Sequence, residues 1–190
     1  MLAEIAQLLV DVVATFFVYL LLARFHFQWL RVPFRNPIGG FVVALTDWIV
    51  RPARRVVPGI AGFDLATLLV AWLLQAFALW ALYSLKGADP AGAALGLIAV
   101  LALFDIARYS LYILIFAVLV QVVLSWLNPY SPVAPIFSAM TRPFLAPIRR
   151  FLPPIANFDL SPLVLLVLLQ VVLIPLAHLR NVAGAFFAGG

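Results

Sequence analysis

Long apolar runs alternate along the chain with stretches in which proline and arginine break the pattern. Four runs, Ile5 to Ala23, Leu65 to Leu85, Asp105 to Trp126 and Leu163 to Ala177, predict membrane-spanning helices, which need about 20 residues to cross a hydrocarbon core of about 30 Å. Asp11 interrupts the first run and Arg24 ends it. The stretch after it cannot cross a bilayer, because its arginines need water and its prolines break the hydrogen bonding that lipid demands. Within that stretch, Ile38 to Val50 has an apolar face and few charges. It predicts a helix lying in the interface with Trp48 at headgroup depth, started by Asn36-Pro37.

Asp64 stands just before the second run, where it supplies the acceptor that free helix-start N–H groups need. Lys86-Gly87-Ala88-Asp89-Pro90 reads as a turn, with Gly87 suited to a helix end and Asp89-Pro90 to a helix start. Ala91 to Trp126 is too long for one simple span. Ala91 to Phe104 is therefore read as an extension of the third helix or as a short interfacial helix. After a turn at Asn128 to Pro132, Ile136 to Thr141 and Phe144 to Phe151 are predicted as two short interfacial helices around Pro143. Asp159, or Ser161 with Pro162 at the first helical position, starts the fourth span. Pro175 should kink its end, and Ala183 to Gly190 reads as a frayed tail.

The proline- and arginine-rich stretch occurs twice. Thr46, Pro52, Arg54, Arg55, Pro58, Ile60, Ala61, Phe63 and Asp64 recur as Thr141, Pro147, Arg149, Arg150, Pro153, Ile155, Ala156, Phe158 and Asp159, at one offset (141 − 46 = 95) and without a gap. Leu73-Leu74-Gln75 recurs as Leu168-Leu169-Gln170 in the same register. This argues for internal duplication. The expected fold is all-α, with four transmembrane helices arranged as two tandem parallel repeats. Each repeat carries a Pro/Arg-rich cytoplasmic loop with short interfacial helices. The expected division is residues 1–86 for the first repeat (loop about 24–63), 87–104 for a connector and 105–190 for the second repeat (loop about 127–160).

Composition narrows the class. The chain has 190 residues, 66% hydrophobic and 10% charged, whereas soluble domains carry about 45–50% apolar and about 25% charged residues. Mean hydropathy is +1.17. Cysteine is absent, which excludes disulfides, thiolate metal sites and cysteine nucleophiles. Glu4 is the only charge before Asp11, so no basic leader precedes the first run, and it is read as a retained helix. The net charge of +5 is read as loop arginines facing anionic headgroups, with no nucleic acid partner. Arg24, Arg31, Arg35, Arg51, Arg54, Arg55, Arg142, Arg149 and Arg150 follow spans one and three; Lys86, Arg108 and Arg180 lie toward the other side. The basic loops are therefore expected in the cytoplasm and both termini outside. Each repeat holds an even number of spans, so the halves insert in the same orientation.

The motif Ser125-Trp126-Leu127-Asn128-Pro129, then Thr141-x-Pro143-x-Leu145-x-Pro147-Ile148-Arg149-Arg150-x-x-Pro153, then Asp159-Leu160-Ser161-Pro162, resembles the YggT family of small membrane proteins, also called YlmG-like. The first half repeats it more loosely through Asn36-Pro37, Thr46, Pro52, Arg54-Arg55, Pro58 and Asp64. Asp47 and Arg142, after the matching threonines, carry opposite charges, and Ala66-Thr67 stands where the second copy has Ser-Pro. The resemblance implies a bacterial inner-membrane or thylakoid protein with no established enzymatic activity. Its relatives are linked to division or membrane-organisation machinery, to cytochrome assembly in chloroplasts, and to osmotic or potassium stress.

Candidate sites follow from what lipid tolerates. Arg54, Arg55, Arg149 and Arg150, with Trp48 and Trp126, form a candidate surface for anionic lipid or an acidic partner. The plainer account is topological anchoring, worth about 1 kcal/mol per arginine near anionic lipid. Asp64 and Asp159 are read as caps, with Ser161, and as ion-pair partners of those arginines. Gln75 and Gln170 each lie 11 residues beyond their aspartate (75 − 64 and 170 − 159), about 16 Å into the bilayer, and are expected to bond each other across the two-fold axis. Arg108 is expected to pair with Asp11 or Asp105 where spans one and three meet. His26 and His178 are isolated, so no metal site and no cofactor is expected. The function read from this is a non-enzymatic membrane scaffold or assembly factor whose basic loops contact anionic lipid and a protein partner. The alternative is a small ion or solute transport component, with Gln75, Gln170, Asp11 and Asp105 along a path and a homo-oligomer to complete it.

Overall fold

The computed structural model describes residues 1–34, 36–59, 62–86, 93–152 and 159–188. Arg35, Ile60, Ala61, Gly87 to Ala91, and Pro153 to Phe158, all named above, lie outside the described residues. The described residues form six α-helices: α1 (Leu2–Trp29), α2 (Pro37–Val56), α3 (Leu65–Leu85), α4 (Ala93–Leu127), α5 (Ala134–Phe151) and α6 (Ser161–Ala188). No strand occurs among them. Helices α1, α3, α4 and α6 are long and apolar enough to cross a membrane.

The starts of the helices follow their caps. The Asn36 side chain accepts from the Gly39 N–H at 2.7 Å, with Pro37 at the first helical position. Asp64 accepts from the Thr67 N–H at 3.3 Å, and the Ser161 N–H donates to Asp159 at 2.9 Å where α6 begins. Several boundaries differ from the sequence expectation. Helix α1 does not end at Arg24 but runs through it to Trp29, because partners on α2 neutralise the arginine. Helix α4 is continuous from Ala93, so the described part of the 91–104 stretch extends the third span. The two short helices expected around Pro143 are one helix, α5. Pro143 and Pro147 both lie on its exposed side, where the carbonyl each proline leaves unpaired can turn to a polar medium. Helix α6 passes through Pro175 and continues to Ala188, where a frayed tail was expected.

Helices α1 and α3 pack on each other, as do α4 and α6, and the two pairs meet along α3–α4 and α1–α4. Helix α2 lies across α1 and α3, and α5 across α4 and α6. Alanines with no exposed surface (Ala66, Ala71, Ala102, Ala117) sit at these contacts, and small side chains let helix backbones approach closely in lipid. Both crossing helices bury a narrow stripe. Gly39, Val42, Thr46 and Val50 are buried on α2; Ile136, Phe137, Met140, Thr141 and Leu145 are buried on α5. The three- and four-residue spacing of each stripe is one face of a helix.

Candidate functional site

The last turn of each crossing helix is locked to the start of the next long helix. Arg54 Nη2 lies 2.5 Å from Asp64 Oδ2 and also donates to Gln28 Oε1 at 2.9 Å. Arg149 Nη2 lies 2.7 Å from Asp159 Oδ2, and its Nε donates to the same oxygen at 2.9 Å. One carboxylate thus caps the following helix and holds the preceding one. An arginine in the final turn also suits the negative end of its own helix. Burial works against the charged form of Asp64, but hydrogen bonds from Arg54 and Thr67 outweigh it and hold the carboxyl below the usual carboxylate range. For Asp159, burial is likewise outweighed by Ser161 and Arg149. Arg55 and Arg150, one residue on from the locks, are exposed and form no ion pair among the described residues. Trp48 is exposed, with its indole N–H donating to the Leu45 carbonyl at 2.9 Å; Trp126 is also exposed.

A second tie was not anticipated. Arg24, only 4% exposed, reaches from α1 to Thr46 Oγ1 at 2.8 Å and Asp47 Oδ1 at 2.7 Å. Arg51 reaches the other oxygen of Asp47 at 2.8 Å. The hydrogen bond from Arg24, more than burial opposes it, holds the Asp47 carboxyl below its usual range. In the second half Thr141 donates to Gln121 on α4. The shared threonine in the repeated motif was the only sequence signal of these ties.

At membrane depth the polar groups do not arrange as expected. Gln75 does not meet Gln170: its Nε2 donates to Asp105 Oδ2 at 3.1 Å, while Gln170 is exposed on α6. The short Asp105 side chain lies where α3, α4 and α6 converge, and a carboxylate offers Gln75 a stronger acceptor than an amide would. Arg108 pairs with Asp105 at 3.1 Å and not with Asp11, which is exposed on α1. Arg180, assigned from sequence to the outer side, reaches into the same site, with Nε 2.7 Å and Nη2 3.1 Å from the Asp105 carboxylate. Asp105 is thus 1% exposed and carries two guanidinium groups and an amide. Arg108 also lies over the Tyr109 ring, 5.4 Å from its centroid. His26 is buried with Nδ1 2.7 Å from the Leu22 carbonyl, and His178 is exposed. No group of three potential metal ligands occurs among the described residues.

Two neighbouring cavities open beside α5, one where α4, α5 and the start of α6 meet and one between α4 and α5. One of about 300 Å³ is lined by Gln121, Ser125, Trp126, Arg149 and Asp159, among others. The other, of about 240 Å³, is lined by Gln121, Ser138, Ala139, Arg142 and Arg149. A cavity of about 600 Å³ between α1, α2, α4 and α5 is apolar and aromatic, with Phe16, Tyr19, Phe27, Tyr112 and Phe137 in its wall.

The model of the CCB3/YggT family matches residues 3–85 and 100–180. The chain is 31% identical over 183 residues to the uncharacterized protein YggT of Escherichia coli K12, covering 96% of this chain and 94% of that protein. It is 30% identical over 177 residues to an uncharacterized protein of Pseudomonas aeruginosa, covering 92% and 88%. A Vibrio alginolyticus protein is 32% identical over 165 residues, covering 85% and 88%. No solved structure matches the chain.

Proposed function

The chain belongs to the CCB3/YggT family, and from that premise we propose that it is a non-enzymatic membrane scaffold. In this reading two tandem halves insert side by side in the bacterial inner membrane, with both termini outside. The crossing helices α2 and α5 lie along the cytoplasmic surface, where they meet anionic lipid and a protein partner. The observation that carries the reading is the paired lock. Arg54–Asp64 and Arg149–Asp159 fix each crossing helix to the foot of the next long helix. That leaves Phe41, Trp48, Arg51 and Arg55 exposed on α2, and Arg142, Arg150 and Phe151 exposed on α5. Aromatic rings beside guanidinium groups are the composition of a headgroup-facing surface. The two separate stretches matched by the family, and the same order of long, crossing and long helix in each, support the tandem arrangement. The direct Gln75–Asp105 contact, with Gln170 and Asp11 exposed elsewhere, argues against a shared transport path.

Three measurements test this. Single cysteines at Arg54 and Arg149 should both react with an impermeant label only from the cytoplasmic side. A photoreactive residue at Trp48 or Arg150 should capture one recurring membrane protein. Vesicles holding the purified chain should pass potassium and protons no faster than empty ones. Saturable flux that disappears in Gln75→Ala, or labelling of the two arginine sites from opposite faces, overturns the reading.

A further inference from the structure

The two halves part company at one place, where matching positions carry opposite charge. In the first half the space between the long helix and the crossing helix is filled: Arg24 bonds Thr46 and Asp47, and Arg51 closes on the same carboxylate. The offset of 95 puts Leu119 at the position of Arg24 (24 + 95), Arg142 at that of Asp47 (47 + 95) and Ala146 at that of Arg51 (51 + 95). The carboxylate is gone from the second half, and so is the guanidinium that filled the gap. There Thr141 is tied to the Gln121 amide oxygen instead, and beside that contact lies the 240 Å³ cavity lined by Gln121, Ser138, Ala139, Arg142 and Arg149. Arg142 forms no ion pair among the described residues. Asp159 occupies the Nε and Nη2 side of Arg149, which leaves the Nη1 end of a five-donor group outside that pair.

We propose that this cavity binds a phosphate group, which supplies from outside the anion that Asp47 supplies from within the first half. Arg142 and the unused end of Arg149 hold the phosphate oxygens, since planar guanidinium forks match their geometry. The Gln121 amide and the Ser138 hydroxyl complete the polar wall. The inference rests on the reading that the crossing helices face anionic lipid, and it confines specific recognition to the second half. The phosphate belongs to a phospholipid headgroup or to a soluble phosphate ester.

The test is native mass spectrometry of the full chain released from micelles containing phosphatidylglycerol or phosphatidylcholine, with and without glycerol 3-phosphate. Retention of one phosphatidylglycerol per chain, weakened about tenfold by Arg142→Gln and unchanged by Lys86→Gln, supports the lipid source; tenfold corresponds to one charge-assisted hydrogen bond. Retention of glycerol 3-phosphate with the same dependence on Arg142, and no selective lipid, supports the soluble source. Gln121→Glu, which returns a carboxylate to the cavity without removing an arginine, should also expel the ligand. Equal loss in Arg142→Gln and Arg55→Gln overturns the cavity while leaving the lipid-facing surface intact. Retention of phosphatidylglycerol and phosphatidylcholine alike, without dependence on Arg142, together with no bound glycerol 3-phosphate, overturns both.

Discussion

Single aspartates decide how much each tie contributes. Asp64 is buried and Asp159 is about one-third exposed, so the same motif has unequal weight. Asp64→Ala removes a cap and leaves Arg54 without its partner, and should lower stability by about 3 kcal/mol, against about 1 kcal/mol for Asp159→Ala. Thermal unfolding in micelles checks the ranking. The pH response has a definite sign. The folded Asp64 carboxyl titrates below its ordinary value of 3.8, so its stabilisation is complete above that value and is lost as pH falls through the lower, folded one. The unfolding temperature in micelles should stay level from about pH 7 to about pH 5 and fall in stronger acid, and Asp64→Asn should make that fall smaller. Deeper in the bilayer, Asp105→Asn and Arg180→Gln share one contact and should show about 1–3 kcal/mol of coupling in a double-mutant cycle. Asp11→Asn and Arg108→Gln have no contact, and their effects should add within about 0.5 kcal/mol.

At the scale of elements, the crossing helices were legible as amphipathic stretches with Asn36-Pro37 and Asp64 as punctuation. Their lengths were not. Proline was read as a helix breaker, but Pro52, Pro143 and Pro147 all lie inside helices and on exposed faces. The position of the ring relative to the packed face, which sequence alone does not give, decides whether the lost hydrogen bond matters. Two neighbouring glycines give a sharp test of how α2 is seated. A Cβ on Gly39 would stand 2.6 Å from the Phe34 carbonyl oxygen, backbone that cannot swing away, whereas one on Gly40 meets nothing within 4 Å. Gly39→Ala should destabilise by about 1–3 kcal/mol through overpacking. Gly40→Ala should stabilise by up to about 1 kcal/mol through helix propensity. Equal effects in a thermal melt would mean that α2 does not rest against Phe34.

At the scale of the molecule, each half is packed within itself: α1 on α3 with α2 across them, α4 on α6 with α5 across them. The halves are joined by α3–α4 and α1–α4 packing, by an apolar cluster in which Leu20, Phe27 and Val42 meet Ala117, Phe137 and Met140, by the indole of Trp72 donating to the Ala99 carbonyl at 2.9 Å, and by Gln75 bonding Asp105. The chain should therefore survive a break after Lys86. Co-expressed pieces 1–86 and 87–190 should co-purify, and Gln75→Leu with Trp72→Leu should weaken their association by about tenfold, the effect of about 1.4 kcal/mol. Pieces that fail to meet even with both residues intact would show that the halves do not fold as separate units.

The sequence by itself determined the all-helical class, the four spanning candidates, the caps Asp64 and Asp159, and that each faces an arginine pair. Those follow from local rules: apolar length, cap chemistry and a ten-residue reach from arginine to aspartate (64 − 54 and 159 − 149). The structure chose Arg54 and Arg149 within the pairs and left the Ser161 hydroxyl without a bond among the described residues. Only the tertiary structure decided that Arg24 lies buried, that Arg180 and Gln75 share Asp105, and that one half seals the gap the other leaves open. A buried ionisable side chain in a long helix needs partners facing it, and those of Asp105 on α3 and α6 lie 30 and 75 residues away, separations that follow no period a sequence can display.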